Sequence, residues 1–167
     1  MPLPLTIAAA FCALVSAAGN LQALAGATLL ARFRRTERRA DDALRLSDRT
    51  WPSVTVLKPL HGNEPLLEDA LESVFTQDYP DFQIVFGVQD REDTALAVIE
   101  RLRARHPRIP VSVVIDPQEH GPNRKVGNLM NMYGEARHDI IVISDSDIHA
   151  SPNYLRHVVT SLEEQGT

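Results

Sequence analysis

Cysteine is nearly absent from this chain of 167 residues: Cys12 stands alone in an apolar run, so neither a disulfide framework nor a thiolate zinc site can be assembled. Its isolation also leaves the redox compartment unreadable. Excess positive charge is missing too. The 17 Lys and Arg residues are outnumbered by 22 Asp and Glu, for a net charge of -5, which removes the basic field that nucleic-acid binders use to hold phosphates. Nucleic acid is therefore not an expected partner. Neither G-x-x-x-x-G-K-[ST] nor G-x-G-x-x-G occurs, which excludes P-loop and dinucleotide fingerprints. No grouping of serine, cysteine and histidine points to a nucleophilic triad. The six histidines are scattered, and only His149 sits close behind an acidic motif.

Charge of either sign is absent from Leu3 to Leu30, where Ala, Leu, Val, Ile and Phe dominate. Such a run is long enough to cross a hydrocarbon core of about 30 Å as a helix. Residues 3–31 are accordingly expected to form a transmembrane helix. Ser16, Asn20 and Gln22 interrupt it, and a buried helix of a larger assembly or an uncleaved signal-like segment are the alternatives. A secretory signal fits poorly, because Met1 to Leu5 carries no positive charge. Arg32, Arg34, Arg35, Arg38 and Arg39 follow at once, and the positive-inside rule puts such a cluster in the cytoplasm. Residues 32–50 are expected to be a basic juxtamembrane linker, helical in part, leading to a domain on the cytoplasmic face of the inner membrane.

From Trp51 onward, short apolar runs alternate with amphipathic stretches. Ser53 to Leu57 reads as a strand ending at Lys58-Pro59, and Asn63-Glu64-Pro65 supplies a cap and an early-turn proline for a helix with Leu67, Ala70, Leu71 and Val74 inward. Phe82 to Val88 is a buried strand after the Asp78-Tyr79-Pro80-Asp81 turn, and Ala95, Val98, Ile99 and Leu102 mark the next helix. Val111 to Ile115 is the third strand. A helix carrying Val126, Leu129, Met130 and Tyr133 comes next, then a wholly apolar strand at Ile140 to Ile143. A last helix, capped at Ser151-Pro152, has Leu155, Val158, Val159 and Leu162 inward. Continuous rather than alternating apolar strands, interleaved with helices, imply a mainly parallel α/β sheet of Rossmann-like type, covered on both faces.

In such a sheet ligands sit outside the carboxyl ends of the strands. Three polar features fall there. Asp145-Ser146-Asp147 projects two carboxylates directly after the fourth strand, the donor set that Mg²⁺ or Mn²⁺ takes when substrate phosphates complete the shell. Acidic pairs are common in surface turns, and it is the strand-end position that makes this one a ligand site. Asp90-Arg91-Glu92-Asp93 follows the second strand; a carboxylate here could accept from a base or ribose, or Asp93 could simply cap the next helix. Asn123-Arg124-Lys125 opens a helix with Asn128 a turn later, where a cation and helix-terminal N–H groups favour an anion. A merely exposed lysine is the alternative.

These residues, in this order, resemble the ceramide-glucosyltransferase-like branch of the inverting, family-2-type glycosyltransferases. Val56-Leu57-Lys58-Pro59-Leu60-His61-Gly62 is similar to its K-P-L-x-G element, Gln77-Asp78-Tyr79-Pro80 to its following turn, and Val88-Gln89-Asp90 to its V-Q-D stretch. Asn123-Arg124-Lys125-Val126-Gly127-Asn128-Leu129 is similar to N-x-K-x-x-N-L, and Asp145-Ser146-Asp147-Ile148 to the D-S-x-I metal motif. The wording is nearest to bacterial hopanoid-biosynthesis enzymes of the branch. The resemblance covers Trp51 to Leu155. It implies the N-terminal part of a GT-A nucleotide-sugar-binding domain at residues 51–167, a UDP-sugar donor, a divalent metal and a membrane lipid acceptor in the bilayer. It further implies Asp93 near the uridine, Lys58, Lys125 and Asn128 near the nucleotide or its phosphates, and Asp145 and Asp147 on the metal, with Asp147 the direct ligand. The sugar would be N-acetylglucosamine or glucose and the acceptor a hydroxyl of a hopanoid polyol or ceramide.

The family's third aspartate, its expected base, and its [Q/R]-x-x-R-W element have no counterpart up to Thr167. The base is therefore expected beyond Thr167, and these residues alone are not expected to turn over. Two other readings stay open on the residues themselves: a haloacid-dehalogenase-like phosphotransferase, whose D-x-D would instead lie on an early strand, and a membrane-anchored nucleotide-binding module without chemistry.

Overall fold

The computed structural model describes residues 3–45, 49–62 and 64–165. Asn63 of the expected helix cap, residues 46–48 of the expected linker and the side chain of Arg38 lie outside the described residues. The chain divides into two compact units, Met1–Leu46 and Ser47–Thr167.

The first unit is one helix, α1 (Leu3–Arg45). Its stretch Ile7–Thr36 is long and apolar enough to cross a membrane, and none of that surface is buried by the protein. Thirty residues rise about 45 Å as a helix, more than a hydrocarbon core requires. The helix does not stop at the arginines. It carries Arg32, Arg34, Arg35 and Arg39 as part of the same rod, so residues 32–45 of the expected linker are helical.

The second unit is an α/β layer: β1 (Val54–Pro59), α2 (Leu67–Phe75), β2 (Phe82–Val88), α3 (Ala95–Arg105), β3 (Val111–Ile115), α4 (Arg124–Tyr133), β4 (Ile140–Ile143) and α5 (Tyr154–Gln165). The four strands pair in parallel in the order β3-β2-β1-β4. Each parallel pairing needs a crossover, which the helices supply. The chain moves outward from β1 to β3 on one side and then returns to place β4 against β1 on the other. The gap between β1 and β4 is thus the topological switch point, where α/β sheets open a crevice for ligands.

Side chains alternate along each strand, so the sheet has two distinct faces. Val54, Val56 and Leu60 from the β1 region join Phe82, Ile84, Phe86 and Val88 of β2 in one buried cluster with residues of α2, α3 and α5. On the opposite face Leu57 and Val85 are buried with Met132 of α4 in a smaller cluster. Phe75 stacks on Phe86 with ring centroids 6.0 Å apart, and Tyr79 donates to the Pro52 carbonyl at 2.6 Å. At the start of the domain the Arg49 guanidinium lies 4.0 Å and that of Arg156 4.9 Å from the centre of the Trp51 ring, with Tyr79 edge-on to it. Both cations gain from the π face while keeping carboxylate partners, Glu163 for Arg49 and Asp78 for Arg156.

Four expectations are corrected. α2 starts at Leu67 and not at Pro65, because Leu66 is held in the left-handed region (φ 62) and cannot continue a helix. Val126, Met130 and Tyr133 of α4 face solvent; the residues α4 buries are Gly127, Asn128 and Met132. Gly87 of β2 has no side chain, so Asn128 and Met132 of α4 lie close against its backbone. Leu162 of α5 is exposed, and Leu155 and Val159 carry the packing. β4 is an edge strand, so only Val142 is buried and Ile143 is 53% exposed.

Candidate nucleotide and metal site

β1 and β4 end side by side. The Ser144 amide donates to the Leu57 carbonyl at 3.0 Å, which carries the parallel ladder one residue past β4 before the chain turns away. That turn is Asp145-Ser146-Asp147-Ile148, closed by the Ile148 amide on the Asp145 carbonyl at 3.3 Å. Two carboxylates are thereby presented at the crevice. Asn123 caps α4 with its side-chain oxygen on the Val126 amide at 3.1 Å, which fixes the first turn and points Lys125 toward the carboxylates. Lys125 forms an ion pair with Asp145.

Lys58 lies on β1, directly across from this turn, and has no exposed surface. Its Nζ donates to the Asp145 carbonyl at 2.7 Å and to Ser144 Oγ at 3.2 Å. Burial pushes its pKa down to about 8, against the opposing pull of the Asp147 and Asp145 carboxylates. Asn128, 4% exposed, donates through Nδ2 to the Gly87 carbonyl at 2.8 Å and lines the same cleft; its Oδ1 has no hydrogen-bond partner. Gly87 leaves the room this requires, since a Cβ there would sit 2.5 Å from Asn128 Oδ1 and 2.3 Å from Met132 Sδ.

Two adjoining pockets share Pro59, Glu64, Lys125 and Ser146. One extends to Asp145 and Asp147, the other to Leu60, Gln89 and Asn128. Five of the six expected site residues, Lys58, Lys125, Asn128, Asp145 and Asp147, converge on this crevice, and Lys58 does so from beneath. Asp93 lines neither pocket. Its carboxylate accepts from the Gly62 amide (2.9 and 3.1 Å) and from the Ala95 amide (2.9 Å), so it ties the loop after β1 to the start of α3. Gly62 adopts φ +70 there, a conformation open to glycine.

Glu64 and Gln89 are site residues that sequence reasoning missed. Glu64 accepts from Ser146 Oγ at 3.0 Å, and Gln89 accepts from Arg124 Nε at 3.2 Å. Gln89 had a signal, its place at the end of β2; Glu64 had none, because it reads equally well as a helix-starting acid. Among the described residues no group of three or more His, Cys, Asp or Glu is gathered for a metal ion. Asp145 and Asp147 form an all-oxygen pair suited to a hard divalent cation whose other ligands come from phosphate and water. On that chemistry Asp145 and Asp147 fit.

Solved structures place this parallel α/β layer among GT-A folds. Mannosyltransferase PcManGT from Pyrobaculum calidifontis in complex with GDP-Man and Mn2+ superposes with a TM-score of 0.57 at 24% identity, over 82% of this chain and 40% of that one. S. aureus TarS 1-349 in complex with UDP gives 0.54 at 20% identity, over 68% and 33%. The sequence narrows the class further: a model of glycosyl transferase family 21 matches residues 7–167, and the chain belongs to that family. Ceramide glucosyltransferase 1 of Caenorhabditis elegans is 36% identical over 115 residues, 69% of this chain and 25% of the relative. Ceramide glucosyltransferase of Candida albicans is 34% identical over 124 residues, 67% and 23%. The chain spans about a quarter of the length of these curated relatives.

Proposed function

We propose that this chain is the donor-binding part of an inverting glycosyltransferase that takes a UDP-sugar and a divalent cation and serves transfer of the sugar to a hydroxyl of a membrane lipid. One observation carries the reading: in a family 21 chain, the Asp145 and Asp147 carboxylates and the Lys125 ammonium meet at the switch point between β1 and β4. Asp145 and Asp147 would hold Mg²⁺ or Mn²⁺, with Asp147 the direct ligand because its carboxylate lacks the ion pair to Lys125 that Asp145 has. The cation, when bound, supplies the positive charge that steadies a departing diphosphate. Lys125, at the opening turn of α4, adds an exposed cation for the same phosphates. Asn128 and Gln89 border the other pocket, where the nucleoside would lie. Asp93 would act near the uridine through the Gly62 loop it holds.

The relatives' names support a glucosyl donor and a ceramide-like acceptor. N-acetylglucosamine and a hopanoid polyol rest on the motif wording. The arginines that follow the apolar span of α1 support a cytoplasmic orientation at the inner membrane. Residues 3–31 would cross the bilayer, 32–50 would join it to the domain, and 51–167 would form the N-terminal part of the transferase fold. The phosphotransferase alternative is not favoured in a family 21 chain. Calorimetric titration of UDP tests the reading: Mn²⁺ should tighten UDP binding, and Asp147→Asn should remove about tenfold or more of that gain. Equal UDP affinity in EDTA and Mn²⁺ would end the metal assignment, and absence of UDP binding would end the donor assignment.

A further inference from the structure

Alternation along β1 places Lys58 in an otherwise apolar file. Val54, Val56 and Leu60 all belong to the packed-face cluster, and Lys58 occupies the position between Val56 and Leu60 in that same row. A methionine or leucine would fill the position without burying a charge, and an ammonium with no exposed surface survives only where its hydrogen bonds and compensating charge are provided. Here both come from one segment. The Asp145 carbonyl and the Ser144 hydroxyl accept its protons, and the nearby Asp147 and Asp145 carboxylates supply the negative charge. Lys58 reaches across the switch point to a residue 87 positions later in the chain and grips the backbone at the first carboxylate of the turn.

We propose that Lys58 is a positioning residue: it holds the Asp145-Ser146-Asp147 turn in its ligand-ready shape from beneath, and does not itself touch the nucleotide or its phosphates. The ligand side of this inference rests on the donor and metal reading above; the grip on the turn does not. β4 is short and at the sheet edge, so the turn that follows it has few other holds. The Ser144 amide on Leu57 fixes where the strand ends, and the turn's side-chain holds from other loops, Lys125 on Asp145 and Glu64 on Ser146, are exposed contacts. Apart from the adjoining Ser144 hydroxyl, 3.5 Å from the Asp145 carbonyl, the lysine is the one buried side chain seen holding the turn among the described residues.

Amide hydrogen exchange on the full chain in detergent micelles tests the grip without any ligand. In Lys58→Met, peptides covering residues 144–149 should exchange about tenfold faster, while those covering β2 keep their protection. Unchanged exchange at 144–149, or equal loss of protection in β2, would overturn the proposal. Should Lys58→Met fail to fold, Ser144→Ala removes one acceptor and leaves the lysine stem packed. Faster exchange confined to 144–149 is then expected, and no change overturns it.

A second arm uses Mn²⁺ alone and UDP alone. Lys58→Met should weaken Mn²⁺ about tenfold, the size of effect that supporting residues have on a metal site, and leave metal-free UDP binding within about twofold. Loss of metal-free UDP affinity with Mn²⁺ affinity intact would make Lys58 a phosphate contact and overturn the proposal. A wild-type chain that binds neither probe would sink the functional reading, and the exchange arm would still decide on Lys58.

Discussion

The two faces of the sheet are built to different degrees. Among the described residues, the face under α2, α3 and α5 buries nineteen apolar side chains in one cluster, while the face under α4 buries three. The first is an interior closed by three helices. The second is a single helix set on a glycine, with Val126, Met130 and Tyr133 pointing outward. Stability and ligand binding are thus divided between the faces: burial of apolar surface holds the fold on one side, and close approach of a polar helix shapes the cleft on the other.

The sharpest way to break this comparison is to empty the packed face. Phe86→Ala removes a ring with no exposed surface from the centre of the larger cluster and should cost about 3–5 kcal/mol in urea unfolding. A loss below about 1 kcal/mol would mean that the packed face does not carry the stability. Next comes the residue beside it, on the other face. Gly87→Ala puts a Cβ against Met132 and Asn128; the Met132 side chain can yield, but the Asn128 amide would lose its bond to the Gly87 carbonyl. The expected cost is about 1–3 kcal/mol, with a weaker UDP titration than that of Phe86→Ala at equal folded fraction.

Smaller effects sharpen the contrast. Tyr79, at the rim of the packed face, has its phenol pushed up to about 12 by burial. Because the folded pKa lies above the ordinary value near 10, the stabilisation is complete below pH 10 and is lost as pH rises through 12. Tyr79→Phe should cost about 1 kcal/mol at neutral pH, from the lost bond to Pro52, and should flatten the fall in thermal stability above pH 10. Persistence of the full alkaline fall would assign it to another group. Least of all, Met130→Gln on the exposed surface of α4 should change unfolding by less than about 0.5 kcal/mol, checked in the same urea series.

The packed face was legible in the residues. Leu67, Ala70, Leu71 and Val74, and Ala95, Val98, Ile99 and Leu102, repeat at helical spacing and are buried as that spacing implies. Phe82–Val88 and Val111–Ile115 are predominantly apolar runs, interrupted by Gln83 and Ser112, and both are strands. α4 was misread for a physical reason: periodicity reports that a helix has an apolar stripe, and a sheet can instead accept the side that comes closest. Asn128 and Met132 take that position because Gly87 lies opposite. The carboxylate pair was legible from its place after a strand. What Lys58 touches was not, although its register with Val54 and Val56 marks it as facing the interior. The link from Glu64 to Ser146 joins residues 82 positions apart, a separation no local pattern encodes.

The adjacency of β1 and β4 also has a kinetic side. Val54 pairs with Phe82 across a crossover of ordinary length, but with Ile140 only after two strands and three helices have intervened. Closing that larger loop costs chain entropy that no local contact returns early, so the β1–β4 seam belongs among the late steps of assembly. The crevice exists only along that seam. Any ligand that binds there, whatever its sugar, selects chains that have finished folding, and so draws the population toward completion by mass action.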